Sequence, residues 1–114
     1  MKFRSHTKDK DLVVVEVDAD INTATAGGVV TELERAIDGG ARKLILDCTK
    51  LNDVASSGMG VLLRLQQKVS RQGGEMKLAG VKPAVAKMLK LVRIDGLFSS
   101  YPSLEHAAGA FGAK

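Results

Sequence analysis

Along this chain short apolar runs alternate with longer segments whose apolar residues fall three and four positions apart. Leu12-Val13-Val14-Val15-Glu16-Val17 is a β-branched run and predicts a strand. Lys2 to Thr7 alternate more weakly and suit an edge strand, with Lys8-Asp9-Lys10-Asp11 as the polar turn between the two. After a loop at 18–22, Ala26, Val30, Leu33 and Ile37 recur at helical spacing, and Gly39-Gly40 predicts the stop. Lys43 to Asp47 is nearly continuous in apolar residues, as a buried central strand is. Gly58, Leu62, Leu65 and Val69 then share one helical face that ends at Gly73-Gly74. Glu75 to Ala79 reads as a strand with Met76 and Leu78 on one side. Pro83 suits a helix's first turn, and Val85, Met88, Leu89 and Val92 form that helix's apolar stripe. Leu97-Phe98 predicts a last short strand. Ser103 then opens a closing helix whose inner face is Leu104, Ala107, Ala108 and Phe111.

Strands alternating with helices predict an α/β fold with parallel pairs and right-handed crossovers, and the leading hairpin makes the sheet mixed. A length of 114 residues fits a single domain over 1–114. With 45% hydrophobic residues, 4% aromatics and no Trp, the core is aliphatic. One cysteine forms no internal disulfide, and with no signal peptide visible a reducing cytoplasm is the expected setting. No apolar run approaches the ~18 residues of a membrane span. A net charge of +4 admits an acidic partner without pointing to nucleic acid, because Tyr101 is the only tyrosine and no aromatics interleave with the basic residues. Arg64, Lys68 and Arg71 make a basic stripe on one helix, and Lys87, Lys90 and Arg93 on the next. Each is either a solvated face or a docking face for an acidic partner.

The segment richest in candidate chemistry is 42–62, where the apolar run Leu44-Ile45-Leu46 ends in a polar loop and Ser56-Ser57-Gly58-Met59-Gly60 opens a helix. Small hydroxyls beside a helix N-terminus lie near unpaired N–H groups and the positive end of the dipole. From the residues alone, the two serines read first as helix caps and only second as a phosphate-accepting turn. Gly58 and Gly60 suit close approach of another backbone or tight packing of the helix start on the sheet.

This segment resembles the signature of the STAS domains, and within them the bacterial anti-sigma factor antagonists, in which strand, Asp, loop and Asp-Ser-Ser/Thr-Gly-Leu-Gly lead into a helix. Asp47 and Ser56-Ser57-Gly58-Met59-Gly60 match that order, and Ala55 stands where the family has the Asp before the first serine. Ala19-Asp20-Ile21-Asn22 occupies the place of the family's Gly-Glu-Leu-Asp loop. The resemblance implies a STAS fold, a small mixed sheet covered by about four helices. It also implies phosphorylation at Ser56, with Ser57 left as the cap. Asp20, Asn22, Asp53, Ser57, Gly58 and Met59 become the partner-binding set. The implied partners are an anti-sigma factor that is also a GHKL-type serine kinase and a PP2C-type phosphatase, with a weak homodimer as a further option. ATP and Mg²⁺ belong to the kinase, so the chain itself takes no cofactor. The Ala55 departure keeps an alternative open: a non-phosphorylated STAS interaction module in another bacterial complex, serving lipid transport or stress signalling.

Enzyme readings fail on spacing. A nucleophile elbow needs Gly-x-Ser-x-Gly, and neither Ser56 nor Ser57 has glycines on both sides. His6 and His106 are far apart in sequence. Cys48 ends a buried strand, where an inert thiol is expected. Gly58-Met59-Gly60 lacks the third glycine of a dinucleotide fingerprint, Leu63 taking its place, and no Cys/His spacing suggests a metal site.

Overall fold

The computed structural model describes residues 2–6, 9–17, 20–21, 23–91, 93 and 95–111. Its elements follow in the order β1 (Lys2–His6), β2 (Asp9–Glu16), α1 (Thr23–Asp38), β3 (Lys43–Asp47), α2 (Ser56–Arg71), β4 (Glu75–Ala79) and α3 (Pro83–Leu91). A 3₁₀ turn at Asp95–Leu97, β5 (Ser99–Tyr101) and α4 (Leu104–Ala110) complete them. The five strands lie side by side in chain order. β1 is antiparallel to β2, and β2, β3, β4 and β5 run parallel, so the sheet is mixed, as the leading hairpin required.

Because the parallel strands advance in one direction, right-handed crossovers put α1, α2 and α3 on the same face. Strand alternation then divides the core. Val15, Leu44, Leu46, Met76 and Leu78 pack with Leu33 and Ile37 of α1, Leu62, Leu65 and Val69 of α2, and Leu89 of α3. The opposite side chains, Leu12, Val14, Ile45 and Ala79, meet Ala107 of α4. Each aliphatic side chain removed from water contributes about 1.5–3 kcal/mol.

Three boundaries and one charged stripe depart from the sequence reading. β2 reaches back to Asp9, which pairs with His6, so the polar run 8–11 is partly strand. α2 begins at Ser56, two residues before the expected start at Gly58. Leu97 closes a 3₁₀ turn and Phe98 is buried, which moves the last strand to 99–101, beside β4. The basic stripe on α2 is interrupted: Lys68 Nζ lies 3.2 Å from Glu34 and 3.1 Å from Asp38 of α1, so it ties the two helices together. Val92 lies outside the described residues.

Two polar side chains complete the sheet. Gln66 Nε2 donates to Leu97 O (2.9 Å) and its Oε1 accepts from Met76 N (3.0 Å), which satisfies a β4 amide lying outside the β4–β5 register. Lys77 on the α4 side is only 6% exposed. Its charge is met by Glu75 at 3.0 Å and by the rings of Phe111 (4.6 Å) and Tyr101 (5.4 Å).

Candidate functional site

The rim of the sheet around the start of α2 is built from three loops. β3 ends on Asp47, whose Oδ1 accepts from Thr49 N (3.1 Å) and Thr49 Oγ1 (2.8 Å). That turn carries the chain off the strand. Lys50 Nζ pairs with Glu16 at 2.9 Å, and Leu51 is buried beneath. Next, the amides of Asn52 and Asp53 both donate to Asp20 Oδ1, each at 3.2 Å. Asp20 O accepts from Thr25 Oγ1 at 2.7 Å, joining this anchor to the start of α1. The third loop contributes Lys82, whose ammonium donates to Asn52 Oδ1.

A parallel bridge between Ile21 and Val54 locks these loops together. Ile21 N donates to Asp53 O (3.2 Å) and Ala55 N to Ile21 O (2.8 Å). Ile21 and Val54 are both buried, so the rim has its own apolar footing. α2 springs from it directly. Its N-cap is Ala55, extended at φ −71 and ψ 164, with no side-chain cap bond. The first helical bond is Met59 N to Ala55 O at 3.0 Å. By helix geometry, the amides of Ser56, Ser57 and Gly58 have no intrahelical acceptor. The cap expected at Ser57 therefore falls to Ala55, because the helix starts earlier than the serine pair suggests.

Gly58 is where the helix meets the bridge. A Cβ there would lie 2.6 Å from Ile21 Cγ2, 2.8 Å from Val54 Cγ1 and 3.0 Å from Ile21 O. Of the two roles weighed for the glycines, Gly58 takes tight packing, whereas Gly60 is exposed with nothing within 4 Å of a Cβ.

The fold thus brings Asp20, Asp53 and Gly58 together at the first turn of α2, which Ser56 and Ser57 begin. Met59 turns the other way and is 3% exposed, so it anchors the turn in the core and offers a partner almost no surface. Asn22 lies outside the described residues. Ile21, Asn52, Val54 and Lys82 complete the rim, and for Asn52, Val54 and Lys82 only the tertiary pairing marks them out. His106 belongs elsewhere, its Nδ1 2.6 Å from Ser103 Oγ at the start of α4. Cys48 lies under the rim. Burial first, and the charge of Asp47 second, push its thiol up to about 12, so it stays protonated at neutral pH. Among the described residues no three His, Cys, Asp or Glu side chains converge on a metal position, and no helix is long and apolar enough to cross a membrane. A hydrogen-bonded rim at a helix N-terminus, with Asp20, Asn52 and Asp53 exposed on it, is suited to presenting backbone and small polar groups to another surface.

Residues 4–107 match the family model described as STAS domain. The chain is 29% identical over 107 residues to BtrV of Bordetella bronchiseptica, a candidate anti-sigma factor antagonist, covering 92% of each protein. It is 26% identical over 102 residues to the anti-sigma F factor antagonist of Paenibacillus polymyxa, covering 89% of this chain and 85% of that one. Among solved structures, the anti-sigma factor antagonist SpoIIAA in its unphosphorylated form superposes with a TM-score of 0.79 at 18% identity, covering 99% of both chains. The phosphorylated form of the Bacillus protein gives 0.72 at 16% identity, covering 96% of this chain and 99% of that one. At those identities the superpositions show the fold.

Proposed function

The chain belongs to the STAS domain family, and from that premise we propose that it is a cytoplasmic anti-sigma factor antagonist switched by phosphorylation of Ser56. In its unphosphorylated state it binds an anti-sigma factor that is also a GHKL-type serine kinase, and a sigma factor is released. Transfer of phosphate from the kinase's ATP to Ser56 breaks the complex, and a PP2C-type phosphatase restores it. The chain acts by binding and not by catalysis.

The observation carrying this reading is the fixed rim at the start of α2, where the Asp20 carboxylate and the Ile21–Val54 bridge hold the loop that runs into Ser56. A partner meeting a pre-ordered surface loses little by ordering it. A phosphate adds about −1.5 to −2 charge there. The helix dipole tolerates that charge in the free protein, but a desolvated interface does not. A penalty of ~3 kcal/mol cuts affinity more than a hundredfold. Asp20 and Asp53, both exposed beside this turn, are the partner contacts, with Ser57 next to them, while Gly58 and Met59 support the turn from below.

The test is phosphopeptide mapping after incubation with cognate GHKL kinases and ATP, combined with binding measurements. Phosphate is expected on Ser56. Ser56→Ala should bind persistently and Ser56→Asp weakly, with both variants folded. Phosphate confined to Ser57, or equal affinity of the two variants, refutes the switch. Ala55, in place of the family's acid, favours a second reading as a non-phosphorylated interaction module. That reading predicts tight binding to some partner and no phosphate transfer.

A further inference from the structure

A second surface lies on the C-terminal half of α2. There an open groove of about 460 Å³ runs between the helix and the 3₁₀ turn, lined by Leu63, Gln66, Gln67, Ser70, Arg71 and Leu97. The five helix residues are spaced i, i+3, i+4, i+7 and i+8, so they form one straight wall about 12 Å long. Leu97 faces this wall from the turn and is 51% exposed. Leu91 is the other large exposed hydrophobic among the described residues. Gln66 pins the Leu97 carbonyl, so the leucine is presented from a fixed backbone. Among the described side chains no carboxylate lines the groove. Arg64 and Arg71, with Gln67 between them on the same side of α2, supply positive charge. Among the described residues neither is in an ion pair.

We propose that this groove docks an acidic amphipathic helix of a partner protein. A straight wall with an apolar anchor suits the i, i+4 ridge of a second helix, and the cationic side selects one bearing Glu or Asp beside its apolar stripe. A second copy of the chain is a poor occupant. It carries a net charge of +4, and two of the three carboxylates of its α1, Glu34 and Asp38, are already taken by Lys68. The groove starts about 10 Å along α2 from Ser56, at Leu63, and ends about 22 Å from it, at Arg71.

The probe is a short synthetic helical peptide with leucines at i, i+3, i+4 and i+7 flanked by glutamates, and a control peptide with lysines in their place. Each is titrated into isotope-labelled full-length protein and followed by amide chemical shifts. The acidic peptide should move residues 63–71 and 97 and leave Gly58 unmoved. Its affinity should fall with salt, and at least about tenfold in Arg71→Glu and in Leu97→Ser. Leu97→Ser should keep the parent melting temperature, since Leu97 is half exposed. The proposal is overturned by equal binding of the basic peptide, by shifts confined to the rim, by no binding of the acidic peptide, or by affinity unchanged in both variants. Concentration-dependent dimerisation abolished by Leu97→Ser would likewise overturn it, by making the occupant a second copy.

Discussion

Gly58 allows the packing of α2 on the rim to be tested with a single methyl group. A Cβ at this position would sit 2.6 and 2.8 Å from γ-carbons of Ile21 and Val54 and 3.0 Å from Ile21 O. Neither side chain can yield cheaply. Both are β-branched, stiff at χ1 and buried, and the Ile21 carbonyl is held by the Ala55 amide. Restoring ordinary contact requires most of an ångström of movement in a closed core, which puts the overpacking cost near the upper end of about 1–3 kcal/mol. Replacing glycine by alanine in a helix returns up to about 1 kcal/mol. Gly58→Ala should therefore lose about 2 kcal/mol net, and Gly58→Val more. At about 4 °C per kcal/mol for a chain of this size, the melting temperature falls by about 8 °C. Gly60→Ala is the matched control two residues on. It meets nothing, so it should gain about 0.5–1 kcal/mol. Urea unfolding of the three proteins gives the comparison, read at unchanged m-value. If the two alanine variants are equally stable, α2 does not rest on the Ile21–Val54 bridge and this account of the rim is wrong.

Ala55→Asp places an N-cap acceptor where none exists, so it should raise stability by ~1 kcal/mol in urea unfolding; on the switch reading it should also speed phosphate transfer to Ser56 in a kinase time course. Cys48 should resist thiol reagents until the protein unfolds. Its folded pKa is raised from 9.0 to about 12, so the stability it contributes is complete below pH 9 and is lost as pH rises from there toward 12. Unfolding midpoints at about pH 8 and about pH 10.5 should differ less in Cys48→Ala than in the parent, and an equal difference would remove the thiol from the account.

The sequence made legible those elements whose periodicity and punctuation agree. Leu33 and Ile37 with the Gly39-Gly40 stop, and Leu62, Leu65 and Val69 with Gly73-Gly74, mark α1 and α2 without tertiary help. Leu97-Phe98 is the apolar pair that predicts a strand, while Ser99-Ser100-Tyr101 becomes β5 only through its register with β4. The start of α2 was misplaced because serine is a strong cap residue and alanine is not. Here the bond from Ala55 N to Ile21 O fixes the chain direction instead. At the site, the serine pair, Gly58, Asp20 and Asp53 were visible as a local motif and loop. Met59 lies on the helix's apolar side by pattern and in the partner set by resemblance, and the start of the first turn decides that it is buried. Lys82 and Asn52 carry no local signal of their pairing, and the stripe containing Lys68 shows no ion pair in the sequence because its acceptors lie on another helix.

The Asp20 anchor has a consequence for when the rim can exist. Its carboxylate reaches amides 32 and 33 residues away, across all of α1 and β3. Such long-range contacts form only after the intervening chain has closed its loop and docked. A peptide spanning 47–60 has the serines but neither the anchor nor the bridge, and a nascent or damaged chain that has not paired β2 with β3 is in the same position. The surface is then a readout of folding itself: only a chain that has completed its first parallel crossover can present it, and local melting of that crossover withdraws it.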